Sequence, residues 1–570
     1  MTTPDAHTAG DRARQRPEVS FGLGESTARP ARDSGPLSLD EALEAVAVGR
    51  RVAAAAAAGL AAAGKGALDD NQVLAYDLAH VTAGLEVAAV GLSDCPKDPE
   101  SVKLAKIFAA DALADLASRM FSQEQAWSAT TTSLDAAWRF VNAHRRPEYV
   151  ASSRLESALG PSGMLDADFE MVAGAFRRFA EERVGPLAES IHRKNLDVPE
   201  AVIDGLGELG AFGLSIPEAY GGAATGDGND YLAMVVATEE LSRVSLGAAG
   251  SLITRPEILA RALLAGGTED QKLRWLPRLA AGKIMAAVAV TEPDHGSDVA
   301  GLTFSASPQG DGWRLDGTKT WCTFAARADV LMVLARTDPD RSAGHRGLSL
   351  FVVEKDRAPS AGFVLSQPDG GRLEGRPIDT LGYRGMHSYE LAFDAWRVPG
   401  DCLVGGQAGL GRGFYLQMEG FENGRLQTAA RAVGLMQAAF EAALGYAQQR
   451  VVFGRPTVEY QLTRVKLARM AATVQSCRAY NYHAAGLAAR GAARLEASLI
   501  KAFSCRAAEW VAREALQIHG GMGYAEEYPV SRYFVDARVL SIFEGADETL
   551  ALKVIARRLV EAAGDAPLGG

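Results

Sequence analysis

The residues best suited to chemistry lie in a strand-rich middle stretch and near the end of the chain. Arg450 has a guanidinium fork, which suits bidentate, charge-assisted bonds to a diphosphate. The pair Gly520-Gly521 would let the backbone approach a phosphate closely, or would simply end a helix. Trp321 could form the wall that a flat aromatic cofactor needs, although a lone strand tryptophan usually packs in a core. These residue types are compatible with a cofactor that carries a diphosphate.

Signatures of several other chemistries do not occur in the sequence. There is no Gly-Lys-Ser/Thr phosphate loop, no pair of histidines one helical turn apart, no Gly-x-Ser-x-Gly elbow and no strand-linked Gly-x-Gly-x-x-Gly. The 9 histidines are dispersed, so no metal site is expected.

The elements that must position these residues are helical on both sides of a β-rich centre. Ser38 and Glu41 form a capping box at the start of an alanine-rich helix. Near residue 286 the hydrophobic period changes from 3.6 towards 2, and after Gly405 the chain is helical again. Strands are predicted at 286–291, 302–307, 312–318, 330–336, 347–354 and 388–396.

The predicted domains are a disordered tail (1–36), an extra N-terminal helical domain (37–150), an α domain (160–285), a middle β domain (286–405) and a C-terminal helical bundle (406–570).

The composition restricts the class of protein. The formal net charge is −11, which argues against a nucleic-acid binder because such proteins cluster basic residues. No apolar run approaches the ~20 residues of a membrane helix, the nearest being Ala53–Ala58. The 5 cysteines are scattered and odd in number, so a reducing cytoplasm is expected.

The sequence of the extra N-terminal domain partly repeats that of the C-terminal bundle. Gln72 and Leu78-Ala79 have the same spacing as Gln461 and Leu467-Ala468. The pairs Lys106/Phe108 and Lys501/Phe503 also correspond, each with a leucine two residues before the lysine. We interpret residues 38–145 as a partial duplicate of the bundle that packs on the main body; chance similarity of alanine-rich helices is the alternative.

Five longer motifs occur in a fixed order and identify a family. The chain resembles the acyl-CoA dehydrogenases, flavoenzymes that oxidise the α,β bond of acyl thioesters, over about residues 165–560. The motifs are GTEDQKLRWLP (267–277), VTEPDHGSD (290–298), WCTF (321–324), YAQQRVVFGRPTVEYQ (446–461) and a last stretch from Gln517 to Gly545. The resemblance implies three domains: an α-helical domain, a β-barrel-like domain and a four-helix bundle.

The resemblance also implies FAD as cofactor and names the residues that hold it. Val290 and Thr291 would line the pyrimidine edge of the ring, and Trp321 and Thr323 would cover the isoalloxazine. The remaining cofactor positions implied by the motifs are Gly296, Ser297, Arg450, Phe453, Gln461, Gln517, Gly521 and Gly545. Arg450, Phe453, Gln461, Gln517 and Gly521 would reach a flavin held mainly by another subunit, so a homo-oligomer is expected.

The catalytic base implied by the resemblance is Glu544. Family members carry this glutamate at one of two positions, and the alternative position here is Gly424, which cannot act as a base. The base takes the α-proton while the β-hydride leaves for the flavin, and its backbone N–H helps to hold the thioester carbonyl. A threonine common two residues after the base is Ala546 here, which removes one expected bond to flavin. The pantetheine arm of CoA is assigned to Ser297, Phe421, Glu422 and Arg425.

The acyl group is expected to be short, branched and dicarboxylic, from the likeness of residues 240–271 and 381–388 to certain members of the family. A free carboxylate in a mostly apolar pocket needs a compensating charge. Arg255 is the first candidate, with Arg384 and His387 behind it; a surface or interface ion pair is the alternative for each.

Further expectations concern partners. The resemblance implies electron transfer to electron-transferring flavoprotein, and a dimer is favoured over a tetramer because the extra helical domain could cover the face where dimers pair. The alternatives are a dehydrogenase or oxidase for another short branched acyl-CoA, or a catalytically silent assembly module.

Overall fold

Along the chain, helical segments precede and follow a central sheet, which confirms the predicted fold class. The computed structural model describes residues 37–160, 163–226 and 230–565. The predicted tail 1–36 lies outside these residues. The capping box predicted at Ser38 is confirmed, since its side chain accepts from the Glu41 backbone and the Glu41 carboxylate accepts from the Ser38 backbone.

The helices form three groups along the chain. The N-terminal group comprises α1 (Leu39–Ala62), α2 (Ala67–Asp70), α3 (Gln72–Asp94), α4 (Pro99–Met120), α5 (Asp135–His144) and α6 (Pro147–Ala151). The second group comprises α7 (Ala167–Phe179), α8 (Gly185–Lys194), α9 (Glu200–Glu208), α10 (Asp230–Val244), α11 (Thr254–Gly266) and α12 (Glu269–Ala280). The third group comprises α13 (Gly413–Gln449), α14 (Gln461–Ala488), α15 (Arg494–His519), α16 (Gly521–Tyr524), α17 (Val530–Leu540), α18 (Asp547–Thr549) and α19 (Arg557–Asp565).

The central sheet has eight strands in the order β1-β4-β2-β3-β8-β7-β6, with β5 paired to β4. Its strands are β1 (Ala286–Ala289), β2 (Ser305–Gln309), β3 (Gly312–Lys319), β4 (Val330–Arg336), β5 (Leu348–Glu354), β6 (Phe363–Ser366), β7 (Arg372–Ile378) and β8 (Ser388–Pro399). A separate hairpin joins β9 (Val451–Val452) to β10 (Arg455–Pro456).

Two strands of the sheet were not predicted. β7 contains Gly375 and Pro377, residue types that usually argue against a strand. β6 is an edge strand, and it pairs only with β7. Neighbouring strands therefore decide the conformation of this segment more than its own residues do.

The N-terminal hairpin α3–α4 packs against the C-terminal hairpin α14–α15. Gln72 and Gln461, which correspond in the partial sequence repeat, are each the first residue of their helix. The corresponding phenylalanines Phe108 and Phe503 meet each other, with ring centroids 5.4 Å apart. Lys106 and Lys501 are both buried. This arrangement fits the predicted duplication, which stays a prediction.

Helices α1 and α3 are long and apolar enough to cross a membrane by length and composition. Charged residues interrupt both helices, Arg50 and Arg51 in α1 and Asp77 and Glu86 in α3, so neither is an uninterrupted apolar run of ~20 residues, the feature that the sequence analysis did not find. In α3, 72% of the most apolar window is buried inside the protein, and in α1 50%. Packing of these two helices in the core accounts for their composition.

Candidate active site

The turn between α17 and α18 places Glu544 beside α13, and the space between this turn, α13 and α11 is called the cleft below. Glu544 has φ +55° and Gly545 has φ +99°, so two successive residues take the left-handed conformation. That conformation costs a non-glycine residue about 1–2 kcal/mol. The Oε2 atom of Glu544 is buried and has no hydrogen-bond partner in the described structure. A carboxylate oxygen without a partner is free to accept a proton from a ligand.

Gly424 on α13 lies directly opposite this carboxylate. A Cβ atom built at Gly424 would lie 3.1 Å from Oε2 of Glu544. The two positions that the resemblance implies for the base therefore face the same space. Glycine at 424 keeps that space open for the carboxylate of Glu544.

Arg255, on α11, is buried without a counter-charge. Its side chain is 7% exposed, and its Nη1 atom has no hydrogen-bond partner. Among the described residues, no carboxylate forms an ion pair with it, whereas Glu257 two residues later pairs with Arg261 at 3.1 Å. Helix α11 borders the same space, because Ile258 Cδ1 would lie 3.8 Å from a Cβ at Gly424. A buried guanidinium that lacks a partner is costly unless a ligand supplies one.

Two further residues of this region were missed by the sequence analysis. Arg431 is fully buried, and its guanidinium lies 4.7 Å from the ring centroid of Phe543, the neighbour of Glu544. Burial and, to a smaller degree, the charge of Arg255 lower the pKa of Arg431. Tyr383 packs edge-on against Phe543 at 5.4 Å, and its hydroxyl is buried without a partner. Arg431 lies in no motif, and Tyr383, although inside the stretch 381–388, was not singled out there; their place in the fold marks both.

The other two candidates for a carboxylate-binding residue lie in contacts within the protein. Arg384 donates to the carbonyl oxygens of Thr380 and His192, at 3.2 and 2.9 Å. His387 lies 2.9 Å from the carboxylate of Asp197. Unlike Arg255, these two side chains already have partners within the protein.

The residues assigned to the pantetheine arm lie on the turn of the motif at 290–298 and on α13 near Gly424. The Ser297 hydroxyl accepts from Thr549, five residues after Glu544, at 3.0 Å. Glu422 accepts from Arg494 at 2.6 Å, and Phe421 is partly buried in the adjoining core. Arg425 lies in the same wall, where burial lowers its pKa and its Nε atom has no partner.

The β-domain residues assigned to the flavin ring lie on adjoining loops. The Thr320 N–H donates to the Thr291 carbonyl at 2.8 Å, which ties the loop carrying Trp321 to the end of β1. Trp321 is 56% exposed and has φ +57°, so its indole is not core packing. Thr323 is buried and shares a hydrogen bond with Ser388 at 3.0 Å.

A buried ion pair stiffens the turn that carries the first flavin motif. Lys319 donates to the Val290 carbonyl at 2.8 Å and to Glu292 at 3.1 Å. Burial lowers the pKa of Lys319 to about 8, although Glu292 opposes this shift. Gly296 and Ser297 are exposed at the tip of this turn.

The second set of flavin residues lies at one end of the helical bundle and is exposed. This end is formed where α13 and α15 finish and α14 begins, since Tyr446 stacks on His519 at 4.3 Å. Phe453 is 95% exposed with φ +49°, and Gly520 has φ +60°. A Cβ at Gly521 would meet nothing within 4 Å. The exposed residues at this end are Arg450, Phe453, Gln461, Gln517 and Gly521.

Both sets of residues fit FAD. The exposed Trp321 supplies a ring-sized aromatic surface on the loop tied to the end of β1, and the exposed Arg450 with the open Gly521 backbone suits a diphosphate. Within the described residues there is no group of three or more His, Cys, Asp or Glu side chains that could hold a metal ion.

Comparisons with known proteins agree with this geometry. Three family profiles match in order: the acyl-CoA dehydrogenase N-terminal domain over residues 166–283, the middle domain over 287–396 and the C-terminal domain over 411–560. The (2S)-methylsuccinyl-CoA dehydrogenase of Cereibacter sphaeroides is 45% identical over 407 residues, which cover 71% of this chain and 72% of that one.

Solved structures show the same fold. The glutaryl-coenzyme A dehydrogenase in complex with glutaryl-CoA is 32% identical, with a TM-score of 0.64 over 70% of this chain and 96% of that one. The butyryl-CoA dehydrogenase of Megasphaera elsdenii is 31% identical, with a TM-score of 0.63 over 70% of this chain and 99% of that one. The chain therefore belongs to the acyl-CoA dehydrogenase family of FAD-dependent oxidoreductases, which act on CH–CH bonds.

Proposed function

We propose that this protein oxidises (2S)-methylsuccinyl-CoA to mesaconyl-CoA, a reaction of the ethylmalonyl-CoA pathway. The observation that carries the proposal is the pair of unpartnered charged atoms, Oε2 of Glu544 and Nη1 of Arg255, on two elements that border the space at Gly424. A dicarboxylic acyl thioester would use both of them: its α-carbon gives a proton to the first, and its free carboxylate accepts bonds from the second. The relative from Cereibacter sphaeroides supports this choice of substrate.

Glu544 acts as the base in this mechanism. Its Oε2 takes the proton from the carbon next to the thioester, and the backbone turn at Glu544 and Gly545 holds the carboxylate against Gly424. The Glu544 N–H donates to no backbone carbonyl among the described residues, so it is available to the thioester oxygen, where negative charge develops.

FAD, when bound, would supply the acceptor for the hydride of the β-carbon. Val290, Thr291, Trp321 and Thr323 of one subunit would hold the ring, and the exposed end of the bundle in a second subunit would hold the diphosphate and adenine. The residues of that second surface are Arg450, Phe453, Gln461, Gln517 and Gly521.

Arg255 binds the free carboxylate of the substrate. Its guanidinium can form charge-assisted bonds, and a carboxylate would remove the cost of leaving the buried cation unpaired. The nearby Arg431 adds a second positive charge, because its own bonds go to the hydroxyls of Thr428 and Ser251 rather than to a carboxylate.

The remaining proposals concern partners and location. We propose a cytoplasmic homodimer that passes electrons to electron-transferring flavoprotein. The dimer is supported by the contact between α3–α4 and α14–α15, which covers one face of the bundle. Light scattering checks it: a mass near two chains is expected, and a mass near four would contradict it.

A panel of CoA esters tests the substrate. Methylsuccinyl-CoA should be oxidised with a dye acceptor, whereas 2-methylbutanoyl-CoA, which has a methyl group in place of the carboxylate, should give a kcat/KM lower by about 100-fold. Equal activity on both esters would remove the dicarboxylate assignment, and turnover with oxygen alone would indicate an oxidase.

A further inference from the structure

The turn that carries Glu544 is held from the extra N-terminal domain. Two left-handed residues in succession persist only where the surroundings fix them. Inside the C-terminal bundle, the Asp547 N–H donates to the Ser541 carbonyl at 3.1 Å and closes the turn. Lys501, on α15, donates to the Gly545 carbonyl at 2.6 Å. These bonds fix both ends of the turn but leave the side chain of Asp547 to other partners.

Those partners are Tyr76 and His80, one helical turn apart on α3. The Tyr76 hydroxyl donates to Oδ2 of Asp547 at 2.6 Å, and His80 Nε2 lies 3.2 Å from the same oxygen. The two rings touch edge to face, with centroids 4.4 Å apart. Asp547 and His80 are 8% and 5% exposed. A hydrogen bond to a buried carboxylate is strong and directional, so this contact fixes the start of α18.

The protonation states of Tyr76 and His80 allow both side chains to donate a hydrogen bond to a carboxylate. Burial and the bond to Asp547 raise the pKa of Tyr76 to about 12, so the phenol keeps its proton at neutral pH. Burial lowers the pKa of His80, although Asp547 opposes this shift, and the charges of Arg506 and Arg119 lower it further. Contacts with His80 and Tyr76 bring the pKa of Asp547 below its usual value, although burial alone would raise it. Asp547 therefore accepts a hydrogen bond from the Tyr76 hydroxyl, and the imidazole nitrogen of His80 lies within reach of the same oxygen.

We propose that Tyr76 and His80 are positioning residues for the catalytic base: by holding Asp547 they fix the turn that aims the carboxylate of Glu544. The proposal rests on the proposed role of Glu544. It gives the extra domain a part in the reaction, because residues more than 460 positions away in sequence set the conformation of the base.

The test compares conservative variants of the full-length holoenzyme. Tyr76→Phe removes one hydroxyl, His80→Met removes a donor at similar volume, and His80→Gln restores a donor. At saturating methylsuccinyl-CoA under anaerobic conditions, the rate of flavin bleaching should fall about tenfold in Tyr76→Phe and in His80→Met, with KM and FAD content unchanged. The rate in His80→Gln should stay within about twofold of wild type, since a hydrogen-bond donor is retained.

An isotope effect separates positioning from mere stability. With deuterium on the carbon next to the thioester, the isotope effect on bleaching should rise in Tyr76→Phe, because proton removal becomes slower. The control is Asp111→Asn, which weakens another contact between the two hairpins, the bond from Arg469 at 2.8 Å. This control should bleach at the wild-type rate even where its Tm is lower.

Wild-type bleaching rates and isotope effects in Tyr76→Phe and His80→Met would overturn the proposal, whatever their Tm. A raised KM with unchanged kcat would overturn it as well.

Failure of the proposed function gives a different result. If methylsuccinyl-CoA does not bleach the wild type, the substrate assignment fails and the same variants are compared with the ester that does. If Glu544→Gln keeps wild-type turnover, the base assignment fails and the positioning role with it.

Discussion

Two buried centres of charge in this protein differ in whether their charges are paired. Between α10 and α14, Arg478 donates to Glu239 at 2.7 Å, and the second oxygen of Glu239 accepts from Tyr482 at 3.0 Å. In the cleft, by contrast, Glu544 Oε2 and Arg255 Nη1 have no partner in the described structure. Both centres are at least partly removed from water.

The difference separates structural charges from charges that await a ligand. A paired buried ion contributes through its partner, and removing one member leaves the other uncompensated. An unpaired buried ion weakens the fold until something binds it. Substitutions at the first centre should therefore affect stability, and substitutions at the second should affect turnover.

The largest expected effect is at the base. Glu544→Gln should lower kcat by roughly 10³-fold, because an amide cannot take the proton, while FAD content and Tm stay near wild type. Stopped-flow reduction of the flavin measures the loss. The control is Glu548→Gln, an exposed carboxylate four residues later, which should keep full activity. Near wild-type turnover in Glu544→Gln would contradict the assignment.

The next effect is on substrate selection. Arg255→Leu should lower kcat/KM for methylsuccinyl-CoA by about 100-fold and leave or improve that for 2-methylbutanoyl-CoA. Its Tm should be equal to wild type or higher, because a buried unpaired charge is removed. Steady-state kinetics on both esters measure the effect. An unchanged KM for methylsuccinyl-CoA would show that Arg255 does not bind the carboxylate.

At the paired centre, the expected effect is on stability. Glu239→Gln should cost about 3 kcal/mol, because the guanidinium of Arg478 stays buried without its counter-ion. The FAD-loaded fraction should turn over at the wild-type rate. Thermal unfolding followed by circular dichroism measures the cost. A Tm equal to wild type would mean that pairing does not distinguish the two centres.

A smaller effect concerns a buried neutral group. Burial, helped by the charges of Arg193, Arg532 and Arg384, lowers the pKa of His192 to about 4. The unfolded chain binds a proton at this residue near pH 6.5, so stability is complete above that pH and is lost as the pH falls from 6.5 towards 4. Tm should fall over this window, and less steeply in His192→Gln. Equal slopes would show that His192 does not contribute.

The helical, β-rich, helical order of the chain was predicted from hydrophobic periods and is confirmed, because those periods depend on residues close together in the chain. The role of Glu544 was inferred from the family resemblance and stays a prediction. Gly424 and Glu544 were also recognised as alternatives, although not as neighbours. Arg431 and Tyr383 were missed because their burial beside Phe543 is a property of three-dimensional packing. For the same reason Arg384 was a plausible candidate: its carbonyl partners, one of them on α8, are invisible in the sequence.

Anaerobic mixing of the purified yellow protein with methylsuccinyl-CoA tests the central claim most directly. The flavin absorbance should bleach in the wild type and persist in Glu544→Gln, since no proton can leave the α-carbon without the carboxylate. A wild-type flavin that stays oxidised with this ester but bleaches with 2-methylbutanoyl-CoA would contradict the account.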